Sequence, residues 1–155
     1  MKGNQDVINV LNSLLTGELS AMDQYFVHAR MYEDWGLNEL YERIAHESDD
    51  EREHAAKLVS RILFLEGTPD VASREKLNIG SNVEEMLKND LAYEYKVAGN
   101  LRNAIALCEE KGDYVSRELL EQLLEETEDD HLYWLEKQIG LIGKVGLQNY
   151  LQSKM

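Results

Sequence analysis

The sequence is poor in the residues that interrupt helices and in basic side chains. Its 155 residues include one proline, one cysteine and ten glycines, and 16 Lys and Arg stand against 30 Asp and Glu, giving a formal net charge of -14. The single cysteine, Cys108, excludes an internal disulfide and a CxxC metal site. The acidic balance argues against nucleic acid as a partner and favours the attraction of cations.

Long apolar runs are also lacking. No segment approaches the roughly 18 uninterrupted apolar residues of a membrane span, and the N-terminal residues contain no apolar core of signal-peptide length. The sequence therefore predicts a cytoplasmic protein with no membrane partner. Its length and its 43% hydrophobic content predict a single domain over residues 1–155 with a sizeable core.

The residues that are abundant favour helix almost everywhere. Gly36, Gly112 and the Gly67-Thr68-Pro69 cluster mark the ends of the predicted elements. A capping box at Ser81 to Glu84 is expected to start the third helix, and Asp113 the fourth. The predicted elements are helix A over about 4–35, helix B over about 37–65, helix C over about 82–111, helix D over about 113–139 and a short fifth helix over about 147–154.

Each long helix carries an apolar stripe at helical spacing, which predicts an all-α four-helix bundle over about 4–139. Tight turns at Gly36 and Gly112 predict two antiparallel hairpins. The connection from Glu66 to Gly80 is long enough to cross the bundle from one end to the other. The stripe on helix A consists of Leu11, Leu14, Leu15, Leu19, Met22 and Phe26.

An acidic residue interrupts each stripe. A bare carboxylate in a core costs several kcal/mol unless it is paired or bound to a metal. Buried salt bridges are the alternative explanation, but no stripe carries a matching cation at these levels. The four interrupting residues are Glu18, Glu51, Glu94 and Glu128.

Two of these glutamates begin an E-x-x-H pattern, with His54 and His131 three residues further on. Residues three apart share a helix face, so each pattern can offer an oxygen and a nitrogen to one metal. The glutamates of each hairpin lie at similar distances from its turn, with Glu-to-Glu spacings of 33 and 34. The ligands therefore repeat at one depth, and four carboxylates with two imidazoles form a di-iron carboxylate set. Four glutamates balance the charge of two Fe²⁺.

The spacing in the second hairpin is one residue longer, and one residue turns a following side chain by about 100° on a regular helix. Either the turn at Gly112 differs from the turn at Gly36, or helix D absorbs the residue as a π-bulge. We expect the bulge, between Leu119 and Glu128.

The chain resembles bacterioferritin over essentially its whole length. The resemblance is carried by MKGNQDVINVLN at the start, QYFVHARMYEDWGL in helix A, RILFLEGTP at the end of helix B, DYVSRELL at the start of helix D and GLQNYLQ near the C-terminus. It implies a ferritin-like bundle that assembles into a shell of 24 subunits. Such a shell oxidises Fe²⁺ with O₂ or H₂O₂ and stores ferric mineral, and a ferredoxin-like reductant would supply the electrons that release the iron.

The resemblance also implies roles for single residues. Glu18 and His54 would hold one iron, Glu94 and His131 the other, and Glu51 and Glu128 would bridge the two. His46 and Asp50 lie where the family has an inner-surface iron site, although a plain solvated face is an equal interpretation. Tyr25 could hydrogen-bond a site carboxylate or donate an electron, with core packing as the preferred interpretation.

The haem-binding position departs from the family. Bacterioferritins bind haem b between two subunits through a methionine, and this chain has Arg52 there, which has no lone pair for iron. A homo-oligomer is therefore expected to bind no haem. A mixed shell with a second, haem-binding bacterioferritin subunit is an open alternative. Two further functional alternatives are a rubrerythrin-like di-iron peroxidase, against which the missing CxxC module argues, and a storage-shell subunit with a slow site.

Overall fold

The computed structural model describes residues 1–155, and the chain is helical with no strands. This confirms the predicted all-α fold of a four-helix bundle with a short C-terminal helix. None of the helices has both the length and the apolar character needed to cross a bilayer. The helices are α1 (Gln5–Asp34), α2 (Asn38–Phe64), α3 (Val83–Glu110), α4 (Tyr114–Glu126), α5 (Tyr133–Val145) and α6 (Leu147–Ser153), and a π-helical stretch, Thr127–Leu132, joins α4 to α5.

Side-chain caps fix the helix starts. The Asn82 side chain accepts a hydrogen bond from the backbone N–H of Glu85 at 2.9 Å, and Asp113 accepts one from the N–H of Ser116 at 3.0 Å. The cap of α3 is therefore Asn82 with Glu85, one residue later than the predicted pair, while Ser81 donates to the Glu85 carboxylate from outside the helix. The predicted cap at Asp113 is confirmed.

The two hairpin turns have the same construction. Gly36 and Gly112 have positive φ angles of 75° and 72°, which glycine adopts without steric cost. The N–H of Leu37 reaches back to the carbonyl of Tyr32, and the N–H of Asp113 reaches back to that of Cys108 in the same way. A difference between the turns therefore does not absorb the extra residue of the second hairpin.

The long connection is a strap that follows α1. At successive turns of α1, side chains hold the strap backbone: the N–H groups of Asp70, Glu75 and Asn78 donate to Asn12, Ser20 and Gln24. Gly80 N–H then donates to Nε2 of His28, at 3.1 Å, while Nδ1 of His28 meets the buried carboxylate of Asp90 at 2.8 Å. His28 is therefore a structural residue.

The core lies between the two hairpins and is apolar above and below a polar middle layer. Leu11, Leu14 and Leu15 are buried as the helix A stripe predicts, but Phe26 is 59% exposed. The predicted stripe was wrong at its C-terminal end, where Tyr25 enters the core in place of Phe26. Leu19, Met22 and Phe26 follow helical spacing on a second face of α1, which no other part of the chain buries completely.

The last bundle helix is longer than predicted. It runs through Gly140 and Gly143 to Val145, because an interior glycine costs only about 1 kcal/mol and Ile142 is buried on its inner face. Helix α6 then turns back, and the Tyr150 hydroxyl donates to Oε1 of Gln138 at 2.8 Å. The irregularity expected in helix D is present, but it lies at Thr127–Leu132 and not in the turns before Glu128.

Candidate metal centre

Five of the six predicted ligands meet in the polar middle layer of the bundle. None is more than 2% exposed, although all five are glutamate or histidine. Each residue replaces an apolar side chain on the inward face of its helix, so the packing of the hairpins brings them together. They are Glu18 from α1, Glu51 and His54 from α2, Glu94 from α3 and His131 from the π-helical stretch.

The five side chains form two overlapping groups that share Glu51. In one group, Nδ1 of His54 lies 3.5 Å from Oε2 of Glu51 and 3.7 Å from Oε2 of Glu18. In the other, Nδ1 of His131 lies 2.9 Å from Oε1 of Glu51 and 3.1 Å from Oε1 of Glu94. The ligand atoms of each group lie within 4.8 Å of one another. Glu51 thus offers one oxygen to each group.

The donors of this layer fit a pair of metal ions. Both carboxylate oxygens of Glu18, both of Glu51 and Oε2 of Glu94 are buried and accept no hydrogen bond, and Nδ1 of His54 has no hydrogen-bond partner. Buried polar atoms nearly always have a hydrogen-bond partner. A cluster of buried donor atoms without one is what a metal site requires. Oxygen and imidazole donors in this arrangement suit divalent iron, which the fold would hold between the two hairpins.

Charge coupling inside the cluster shifts its protonation. Burial raises the pKa of Glu18 well above its ordinary value, and the nearby Glu51 raises it further. Burial lowers the pKa of His54, but the nearby carboxylates of Glu18 and Glu51 outweigh it and raise the pKa to about 11. The pKa of His131 is likewise raised, against burial, by its carboxylate neighbours. Without metal, the imidazolium protons therefore provide the positive charge of the site.

Glu128 is the predicted ligand that the structure does not bring into the cluster. Its carboxylate is partly exposed and forms an ion pair with Arg102 of α3. The prediction assumed α-helical spacing, in which Glu128 and His131 share a face. In the π-helical stretch a turn takes about one more residue, so the buried residue one turn before His131 is Thr127. The extra residue of the second hairpin is therefore accommodated in the π-helical stretch that contains His131.

The structure adds two carboxylates that the sequence interpretation missed. Oε2 of Glu126 lies 2.5 Å from Nε2 of His54, and the buried Glu47 contacts Nε2 of His131. Glu47 could have been found, because it lies four residues before Glu51 on the same face of α2. Glu126 could not, because its position depends on the π-helical stretch that follows it.

A third acidic group adjoins His131. Glu47, Asp50, Asp130 and His131 place ligand atoms within 4.8 Å of one another. Asp50 lies 3.4 Å from Nε2 of His131, and this hydrogen bond lowers the pKa of Asp50 against the effect of burial. His46 is largely exposed, with Nε2 3.5 Å from Oδ2 of Asp50, and belongs to none of the three groups.

Tyr25 and Arg52 are the two remaining residues to which the sequence assigned a possible role near the site. The buried Tyr25 hydroxyl donates a hydrogen bond to Oε1 of Glu94, so its role extends beyond the packing preferred from sequence. Burial and the charge of Glu94 hold the pKa of Tyr25 well above its ordinary value, so the phenol keeps its proton. Arg52 is exposed on the outer face of α2, whereas its neighbours Glu51 and His54 are buried.

Two antiparallel helical hairpins around paired carboxylates and histidines are the arrangement known from bundle proteins that hold metal ions between their helices. The comparisons with known proteins identify the family within this class. The family model described as a ferritin-like domain matches residues 8–145. The chain belongs to the ferritin-like family, and this membership supports a role in iron storage and implies iron binding and assembly into an oligomeric shell.

Named relatives match the chain over nearly its full length. It is 58% identical to the bacterial ferritin of Synechocystis sp., with 100% of this chain and 99% of the relative covered. It is 54% identical to the bacterial ferritin of Pseudomonas aeruginosa, with both chains covered completely. It is 42% identical to the bacterioferritin of Mycobacterium leprae, over 97% of this chain and 94% of the relative.

Proposed function

We propose that the chain is a cytoplasmic ferroxidase and iron-storage subunit that oxidises Fe²⁺ to Fe³⁺ at a di-iron site inside each bundle. The observation that carries the proposal is the position of Glu51, whose two oxygens face two separate histidine and glutamate groups. A single structural ion pair would leave one of these oxygens unused. A bridging carboxylate uses both.

The remaining ligands divide between the two ions. Glu18 and His54 would hold one Fe²⁺, and Glu94 and His131 the other. Glu128 would complete the site as a second bridge, which requires its carboxylate to leave Arg102. Four glutamates then neutralise two Fe²⁺, and the imidazolium protons that balance the charge without metal are displaced when metal binds.

The substrate supplies the redox chemistry: two Fe²⁺ each give up one electron, and the pair of electrons reduces O₂ to peroxide or H₂O₂ to water. The chain holds the reacting ions together and keeps their surroundings dry. The Tyr25 hydroxyl, which donates to Glu94, holds that carboxylate in position for its ion. Asp50 and His46, on the side of His131 that faces away from the ion pair, would form an inner-surface iron site.

Anaerobic titration with Fe²⁺ followed by exposure to O₂ tests the proposal. The wild-type protein should bind two Fe²⁺ per chain and oxidise both rapidly. Glu51→Ala should bind less and oxidise slowly, whereas Glu53→Ala, an exposed glutamate on the same helix, should behave as wild type. Slow wild-type oxidation would favour a storage-shell subunit, and peroxide turnover with an electron donor would favour a rubrerythrin-like peroxidase. Equal rates for Glu51→Ala and wild type would reject the site.

We further propose that 24 copies form the shell. Two features support assembly: the half-buried apolar face of α1 that ends at Phe26, and exposed aromatic residues such as Phe64 and Tyr133 at 52% and 56%. The formal charge of -14 per chain would draw Fe²⁺ toward the shell. Sedimentation of the purified protein measures the copy number.

Arg52 supports a shell without haem b when all subunits are alike, because a guanidinium cannot ligate iron. A mixed shell in which a second bacterioferritin subunit supplies the haem ligand is compatible with this position. Release of stored iron would need an external electron donor of ferredoxin type. Mass spectrometry of the shell isolated from its source measures whether one or two subunit types are present.

A further inference from the structure

The two site histidines are each backed by a carboxylate on the side away from the metal groups. Nε2 of His54 lies 2.5 Å from Oε2 of Glu126. Nε2 of His131 contacts Oε2 of Glu47, with Asp50 further away at 3.4 Å. Neither Glu126 nor Glu47 belongs to the groups that share Glu51. The same arrangement therefore occurs twice around one ion pair.

A cation in turn holds each of these carboxylates. Oε1 of Glu47 lies 2.6 Å from Nε of Arg43, one turn earlier on α2. Oε1 of Glu126 lies 3.6 Å from Nζ of Lys57, one turn after His54 on the same helix. Each histidine is thus the innermost member of a series of three side chains, in which the histidine contacts a carboxylate and the carboxylate contacts a cation. In both series α2 provides the cation.

An imidazole can bind a metal through only the nitrogen that carries no proton, so its other nitrogen must keep the proton and donate it. A carboxylate at Nε2 accepts that proton, leaves the Nδ1 lone pair free and fixes the plane of the ring. In this structure Nδ1 of both His54 and His131 faces Glu51. The carboxylate at Nε2 therefore fixes the ring geometry that metal binding through Nδ1 requires.

We propose that Glu126 and Glu47 are positioning residues, each of which fixes the proton and the orientation of one ligand histidine. The proposal rests on the proposed di-iron site, whose histidine ligands it concerns. In this role neither glutamate is a ligand of the two groups that share Glu51. Each acts on one ion only, through His54 or through His131.

The two series differ in their exposure to solvent, and this difference predicts an order of binding. The side chain of Glu47 is 4% exposed, whereas that of Glu126 is 49% exposed. An ion pair in water is weakly held and screened by salt, while a buried one is not. The His131 ion is therefore the tightly held one, and the His54 ion is the one that binds second and exchanges.

Anaerobic titration of the assembled protein with Co²⁺, followed by its visible absorption, tests the proposal without any oxidation step. The wild-type protein should bind two Co²⁺ per chain in two resolved steps. Glu126→Ala should weaken the second step by about 10- to 100-fold, the usual effect of losing such a partner, and leave the first unchanged. Glu126→Gln, which still offers an acceptor oxygen, should recover part of the loss. The control is Glu125→Ala, at the exposed neighbouring position on α4.

Glu47→Ala should show the opposite pattern, with the first Co²⁺ step weakened. If that variant does not assemble, the Glu126 series alone decides. Binding of fewer than two Co²⁺ by the wild-type protein would reject the di-iron site itself. Two Co²⁺ steps in the wild type together with unchanged steps in Glu126→Ala, or with equal weakening of both, would overturn the positioning role and leave the di-iron site standing.

Discussion

His54 and His131 lie almost parallel across the centre of the bundle, with ring centroids 6.0 Å apart and ring planes inclined by 18°. They come from different hairpins, yet both direct Nδ1 toward Glu51. Because both imidazoles are charged without metal, the like charges are held together only by the carboxylates around them. Two metal ions would take over the positive charge that the imidazolium protons provide.

The first prediction concerns the pH dependence of the metal-free protein. The pKa of His54 is raised from 6.5 to about 11 in the fold, so its contribution to stability is complete below 6.5 and is lost as the pH rises toward 11. The raised pKa of Glu18 acts in the same direction. In chelator, the free energy of unfolding should fall between about pH 7 and pH 9, by about 1.4 kcal/mol per pH unit for each retained proton.

Denaturant unfolding at several pH values measures this slope. Glu18→Gln should raise the stability of the metal-free protein at neutral pH and flatten the slope, because it removes a buried acid whose ionisation is unfavourable. The matched control is His46→Gln, an exposed histidine on α2, which should leave the slope as it is. A stability that rises with pH in this range would contradict the prediction.

The second prediction concerns Arg102, whose ion pair with Glu128 must open before Glu128 could serve as the proposed ligand. Arg102→Gln should free the carboxylate and tighten Fe²⁺ binding by up to about fivefold, the value of an exposed ion pair. Glu128→Ala should slow oxidation strongly while leaving a folded shell. Arg117→Gln, which breaks another surface ion pair, between α4 and Glu109 of α3, is the control. Wild-type rates in Glu128→Ala would show that Glu128 is not a ligand.

The sequence could predict the hairpins and five site residues because both depend on local signals. Glycine marks each turn, and a glutamate inside an apolar stripe identifies a buried position without reference to the rest of the fold. Glu18 and Glu94 each lie 18 residues before the glycine of their turn, and these equal distances bring them to one depth. None of these inferences requires the exact backbone of the second hairpin.

The position of the π-helical stretch could not be predicted in the same way. An extra residue can be accommodated at any turn of a helix, and the choice depends on which side chains the opposite hairpin buries. Here Thr127 and His131 are buried and Glu128 is not, so the stretch lies at the ligands. The pairing of Glu126 with His54 follows from the same choice, and for that reason it was missed.

The third prediction concerns haem. Protein produced with ample haem should show no Soret absorbance, because Arg52 has no lone pair to ligate iron. Arg52→Met should gain a Soret band if two copies meet across this face of α2, whereas Arg52→Ala, which removes the charge but adds no ligand, should not. A stoichiometric haem band in the wild-type homo-oligomer would contradict the prediction and indicate a different axial ligand.

The fourth prediction separates the strap from the metal site. His28 accepts the Gly80 N–H and meets the buried Asp90 carboxylate, so His28→Leu leaves the Gly80 N–H without an acceptor and leaves Asp90 with Gln24 as its remaining partner. A buried group without a partner costs about 1 to 3 kcal/mol, and the loss should fall on the attachment of the strap to α1. Thermal unfolding should begin at lower temperature, and proteases should cut within 66–80 faster than in the wild type.

Fe²⁺ oxidation by the remaining folded shell should keep its rate, because His28 contacts none of the residues around Glu51. A variant with intact resistance to proteolysis and slow oxidation would instead connect His28 to the metal centre.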